Sequence, residues 1–191
     1  MGICAGICPS LRYNNLVCKG ENHMPDLLIP EGEELNFHSE LISDTVTMRG
    51  IRILNETDPE NWKNQWTDED MRDHCYRLIY CEGCGYSVGE VSYRKTSDDT
   101  AELWLLILGD LREEGYGAAV LKQIAEIAGK NGIRKFEIHL PADHPHRSFF
   151  EKRHFTEAKC ENEIVTLCTE TAVLGHDKCC TDVCRLHQSE K

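Results

Sequence analysis

The 191-residue chain contains no apolar run close to the roughly 20 residues that a membrane span requires, so no membrane partner is expected. Basic residues are scarce relative to acidic ones: 21 Lys and Arg face 33 Asp and Glu, a formal net charge of −12. That balance disfavours nucleic acid or an anionic membrane as the main partner and leans toward a cationic substrate. The first ten residues, MGICAGICPS, lack a basic n-region and a long apolar stretch, so no export signal is expected. The expected location is cytoplasmic, with most of the 11 cysteines reduced or metal-bound. There is no internal repeat and no low-complexity tract. What remains is ordinary for one globular domain with tails: 40% hydrophobic and 28% charged residues.

Periodicity divides the chain into three parts. Residues 1–44 have no clear period and read as a Cys-containing N-terminal extension, with Leu27-Leu28-Ile29 between two prolines as a candidate edge strand. From Thr45 to Leu54 (TVTMRGIRIL) polar and β-branched residues alternate, which predicts a strand. Asp58-Pro59 predicts a helix start, with helical pieces through Trp62, Trp66 and Met71. Arg77–Tyr80 and Ser87–Tyr93 flank Cys81-Glu-Gly-Cys84-Gly85, a hairpin signal. Leu103–Leu108 (LWLLIL) predicts a strand buried on both faces. Ala118, Leu121, Ile124, Ala125 and Ala128 recur at helical spacing, and Asn131-Gly132 ends that helix. Ile133–Leu140 alternates as a strand with Phe136, Ile138 and Leu140 on one face. A short helix at Arg147–Lys152 and two last strands, Phe155–Cys160 and Glu163–Thr169, follow. Residues 170–191 read as a Cys/His-bearing tail.

The chemistry concentrates in residues 103–129, where a buried strand, a Gly-rich turn and a helix follow one another. Glycines at 115 and 117 let a backbone come close to a ligand and aim several N–H groups one way. The helix dipole adds to this, making an anion site suited to a pyrophosphate, with Arg112 placed to help. A turn with Gly for geometry alone is the plainer alternative. The segment lacks the Gly-Lys-Ser/Thr of a P-loop, and Arg112 breaks the six-residue dinucleotide pattern.

Arg112-Glu-Glu-Gly115-Tyr116-Gly117-Ala-Ala-Val-Leu121 resembles the Arg/Gln-x-x-Gly-x-Gly/Ala signature of the GNAT superfamily of N-acetyltransferases. Phe149-Phe150-Glu151-Lys152-Arg153-His154-Phe155 is similar to that family's Phe-Tyr-Glu-Lys-x-Gly-Phe, and Val88-Gly89-Glu90 closes a hairpin like its second and third strands. The resemblance covers residues 45–169. It implies an α/β (α+β) fold: a mostly antiparallel sheet with splayed strands 4 and 5 and a crossover helix between them. It further implies acetyl-CoA as cosubstrate. Backbone groups of Leu105, Leu106 and Ile107 would face the pantetheine arm. Arg112 and the amides of Glu113, Glu114, Gly115, Tyr116, Gly117 and Ala118 would bind the pyrophosphate. The partner would be an amine, in a small molecule or at a protein N-terminus or lysine, which attacks the thioester directly; the protein would be a monomer or homodimer.

Two departures from the family pattern stand out. Phe150 replaces the Tyr that protonates the leaving thiolate, and His154 replaces a Gly. Glu90 and Glu102 are the candidate general bases; His139, His144 and His146 are weaker ones. The alternatives are a catalytically weak CoA-binding or partner-docking module, and a zinc-stabilised protein. Ligands for zinc would come from Cys81-x-x-Cys84, or from Cys179, Cys180, Cys184 and His187 with Cys4 and Cys8. The favoured reading assigns no metal.

Overall fold

The computed structural model describes residues 24–51 and 73–176. The helix expected after Asp58 and the cysteines of both termini lie outside the described residues. Seven strands form one sheet in the order β1-β2-β3-β4-β5-β7-β6. They are β1 Asp26–Leu28, β2 His74–Cys81, β3 Tyr86–Lys95, β4 Thr100–Ile107, β5 Lys135–Pro141, β6 Thr156–Glu161 and β7 Ile164–Glu170. Every pairing is antiparallel except β4 with β5. A parallel neighbour needs a crossover connection, and helix α2, Tyr116–Lys130, supplies it.

Helix α2 buries Val120, Leu121, Ile124, Ala125 and Ala128 on the sheet. These meet Val91, Tyr93, Ala101, Leu103 and Phe136 in the main core. Each fully buried aliphatic side chain there contributes about 1.5–3 kcal/mol. The helix ends where expected: Asn131 caps it and Gly132 takes φ +82. Helix α4, Thr171–His176, lies against α2 on the same face and buries Leu174. The opposite face carries α1, Phe37–Ser43, whose Leu41 packs with Leu106 and Leu108 while Phe37 covers Tyr76 and Leu78. Helix α3, Arg147–Glu151, follows β5.

The hairpin, the crossover helix, β5 and the last two strands sit where periodicity placed them. The segment from Thr45 does not. Residues 45–50 form turns instead of a strand. The Asp44 carboxylate accepts the Thr47 N–H at 2.9 Å and the Thr47 hydroxyl, and Met48 N–H returns to Asp44 O at 2.9 Å. Such local side-chain bonds compete with a strand ladder, and Gly50 at φ +72 completes the turning. The edge position beside β2 belongs to β1, within the stretch read as an extension.

β4 also differs from its expectation. Trp104 and Leu105 are only half-buried. The cause is divergence: β4 pairs with β5 only from Thr100 to Glu102, opposite Lys135 to Glu137. Beyond that point the two strands separate.

Candidate active site

The separation leaves a cleft of about 940 Å³. Leu103 to Ile107 line it from β4, and Ile138 to Leu140 from β5. Leu108 N–H donates to Val88 O at 2.9 Å, so by strand alternation the N–H groups of Leu105 and Ile107 turn away from β3, into the gap. An apolar run facing an open gap explains why LWLLIL reads as buried on both sides while five of its six residues line a cleft.

The cleft ends at the Arg112–Gly117 turn. Glu113 takes φ +71 and Gly115 φ +91. Among the described residues no backbone carbonyl accepts the N–H of Glu113, Glu114 or Gly115. These groups and the free N–H groups of the first helical turn form an anion-binding concavity. The two glycines serve different purposes. A Cβ on Gly115 would meet nothing within 4 Å, so that residue is Gly for its backbone conformation. A Cβ on Gly117 would lie 2.9 Å from Cζ of Phe149, so that residue is Gly for side-chain packing. The sequence offered ligand approach or turn geometry as the reason for its bareness; the contact with Phe149 is visible only in the structure.

Arg112 lines the cleft but is already engaged. Its Nε donates to Ile107 O at 3.2 Å, Nη2 donates to Thr47 O, and Nη1 meets His146 Nε2 at 3.0 Å. It therefore ties the end of β4 to the 44–50 turns and to the loop before α3. Gly109 N–H reinforces the tie by donating to Thr47 Oγ1 at 2.9 Å. Burial, and then Arg112, push the His146 imidazole below its ordinary range. Burial, His146 and Arg112 push His144 down to about 4.

The remaining candidates are dispersed. Glu102 lines the cleft beside Arg94, 3.7 Å away. Glu90 is fully buried. Its Oε1 accepts Trp104 Nε1–H at 2.7 Å and lies 2.8 Å from His38 Nδ1, while Oε2 accepts the Tyr76 hydroxyl at 2.9 Å. His38 and Trp104 line the cleft in its place. Phe150 forms cleft wall, edge-on to Phe149 and Phe155 at 5.0 and 5.6 Å. His139 lines the cleft and bonds Thr166 Oγ1 at 3.1 Å. His154 takes φ +66, the backbone conformation a glycine would give, so the turn into β6 is retained. The Cys81 thiol is buried and accepts the Tyr116 hydroxyl at 3.2 Å. Among the described residues no three His, Cys, Asp or Glu side chains converge as a metal site.

Sequence reasoning missed His38. It stands alone in a stretch without period, and its meaning comes from a carboxylate 52 positions away.

A family model described as the acetyltransferase (GNAT) family matches residues 45–155, more than half of the chain. The chain belongs to that family. No curated protein sequence matches it. Solved structures with the same fold include spermidine N-acetyltransferase from Vibrio cholerae in complex with CoA and spermine. That one is 12% identical with a TM-score of 0.64, covering 79% of this chain and 98% of that one. PaiA N-acetyltransferase from Thermoplasma acidophilum in complex with coenzyme A is 17% identical, TM-score 0.58, covering 76% and 98%. Ribosomal-protein-alanine N-acetyltransferase from Brucella melitensis is 19% identical, TM-score 0.59, covering 75% and 98%. The GNAT fold is thus present with its diverging strands and its Gly turn in place.

Proposed function

We propose that this GNAT protein transfers an acetyl group from acetyl-CoA to a primary amine by direct attack on the thioester. The observation that carries the reading is the cleft between β4 and β5, whose end opens onto the turn at Gly115. The pantetheine arm fits along the N–H groups of Leu105 and Ile107, as an added strand. The pyrophosphate fits against the amides of residues 113–118. Arg112 acts there chiefly by holding the turn, since three of its donors are taken. The cleft wall at Trp104, Ser92, Arg94 and Glu102 faces the acceptor, and Glu102, half-buried beside Arg94, is the carboxylate of that wall available to an ammonium group. The net charge of −12 favours a cationic acceptor, either a small molecule or a protein amine.

Phe150 favours a second reading, a CoA-binding module with weak catalysis, because the position carries no acidic proton. A thiolate leaves without strong acid assistance, which keeps the transferase reading first.

One experiment separates the two. Acetyl-CoA is added at increasing concentration and the melting temperature is followed. Release of free CoA thiol is then measured over a panel of polyamines, aryl-alkyl amines and peptides with free N-termini. A thermal shift with amine-dependent thiol release supports transfer. A shift with no release above the hydrolysis background supports the binding module, and no shift overturns both.

A further inference from the structure

We propose that Arg153, with Lys152, holds a phosphate monoester at the end of the cleft, the 3′-phosphate on the ribose of CoA, so that the site distinguishes CoA from its 3′-dephospho form. The proposal deepens the reading above and rests on its cofactor half.

Among the described residues the Lys and Arg side chains that line the cleft are Arg94, Arg112, Lys152 and Arg153. Two of these are committed. Arg112 is bonded to Ile107 O, Thr47 O and His146 Nε2. Arg94 lies 3.7 Å from Glu102, near the start of β4, whereas the Gly turn follows the end of that strand. Lys152 and Arg153 have no carboxylate partner among the described residues, although Arg147 on the same short helical segment is paired at 2.8 Å with both Glu151 and Glu157. Two cations left unpaired side by side, on a chain of net charge −12, form a local positive field that attracts an anion.

The pair stands beside the turn that would hold pyrophosphate. Arg153 Cζ lies 5.7 Å from the centroid of the Phe149 ring, over its face. That ring in turn meets Gly117, where a Cβ would come within 2.9 Å of Phe149 Cζ. One aromatic ring thus joins the guanidinium to the first turn of α2. In CoA the pyrophosphate is esterified to the same ribose that carries the 3′-phosphate. A ligand with its pyrophosphate on the amides of residues 113–118 therefore carries its remaining phosphate one sugar ring beyond the turn. The uncommitted cations of the cleft are Lys152 and Arg153.

The turn cannot supply that charge. Its own ionisable side chains after Arg112 are the carboxylates Glu113 and Glu114, and Glu113 lines the cleft. A phosphate monoester carries a charge of about −1.5 to −2 at pH 7, so it needs cationic side chains. The two cations differ in what they contribute. Arg153 is half-buried and packed on Phe149, so its planar fork is held in place to donate two parallel N–H bonds to one phosphate. Lys152 is exposed and adds a point charge that salt screens.

The test is isothermal titration calorimetry of the full chain with CoA and with 3′-dephospho-CoA, which share pantetheine, pyrophosphate and adenine. Wild type is expected to bind CoA about 10-fold or more tighter than the dephospho form, and the preference is expected to shrink between about 50 mM and about 500 mM salt. Arg153→Gln is expected to remove most of the preference by weakening CoA alone, with the Kd for 3′-dephospho-CoA within about two-fold of wild type, which also shows the variant folded. Arg153→Lys is expected to keep part of the preference, because the charge stays and the fork is lost. Lys152→Gln is expected to weaken CoA by about two- to five-fold. Equal binding of the two ligands by wild type overturns the proposal and leaves the cofactor reading standing. A preference unchanged in Arg153→Gln overturns it too, as does an Arg153→Gln that weakens both ligands by the same factor, since the residue would then only support the turn. Failure of both ligands to bind wild type overturns the cofactor reading and the proposal together. No arm needs an acceptor, so the result decides even if no amine of the panel is turned over.

Discussion

Gly117 lies against the tip of the Phe149 ring, so close that a Cβ would come within 2.9 Å of Cζ. The first turn of the crossover helix and the helix after β5 are thereby in contact across the open end of the cleft. Gly117 belongs to the turn that would hold pyrophosphate, and Phe149 packs on Phe150, a wall of the same cleft. Position and packing are coupled there through one missing methyl group.

Gly117→Val tests that coupling. Overpacking a filled site costs about 1–3 kcal/mol, so the variant is expected to unfold at lower denaturant and to lose the acetyl-CoA thermal shift. Replacing Phe149 by Ala in the same chain is expected to recover part of the stability. Additive losses in the double-mutant cycle would show that the two residues do not meet.

Gly115→Ala isolates the other glycine. Space is open around it, but its φ of +91 is strained for any residue with a Cβ. The expected loss is about 1–2 kcal/mol, with no relief from Phe149→Ala. A loss as large as that of Gly117→Val, relieved in the same background, would refute the division of labour between the two positions.

The pair His144 and His146 predicts a pH dependence of stability. Both imidazoles are held below their ordinary range, His144 at about 4, by burial and by Arg112. The unfolded chain therefore binds more protons than the native one as pH falls below about 6.5. Stability is expected to be full above that point and to decline from pH 6.5 toward 4. Urea midpoints measured at half-unit steps check this, and His144→Gln is expected to flatten part of the slope. A midpoint that rises on acidification across this window would contradict the assignment.

Much of this architecture was legible because its signals are local. The hairpin signal at Cys81–Gly85 between Arg77–Tyr80 and Ser87–Tyr93, the helical spacing from Ala118 to Ala128 and the turn residues 131–132 all survive into the structure. The turn at Thr45–Gly50 was not legible, because its alternating pattern matches a strand. What decides its shape is the Asp44 side chain, together with long-range bonds from Gly109 and Arg112 to Thr47. The engagement of Arg112 was not legible for the same reason: a guanidinium in a phosphate signature shows its tertiary acceptors only in the fold. Glu90 was found from its place after the hairpin, yet its burial and its hold on His38 exist only in three dimensions.

Phe150 gives the sharpest test of the alignment on which the acid step depends. The side chain is buried, edge-on to Phe149 and Phe155, and faces the cleft. Removing it leaves a cavity, so Phe150→Ala is expected to cost about 3–5 kcal/mol and to lower kcat by loosening the cleft wall. Phe150→Tyr adds one hydroxyl at the edge of the same ring. A positioned acid is worth about 10²–10⁴-fold where proton transfer limits the rate, and a thiolate needs little of that help. The expected change in kcat is therefore a modest gain or none, with stability nearly unchanged if the hydroxyl reaches the cleft. The measurement is kcat for the three proteins with one amine, alongside their denaturation midpoints. A tyrosine variant as unstable as the alanine one would mean that the ring edge points into the core, and residue 150 could then not have served as an acid in any variant of this site.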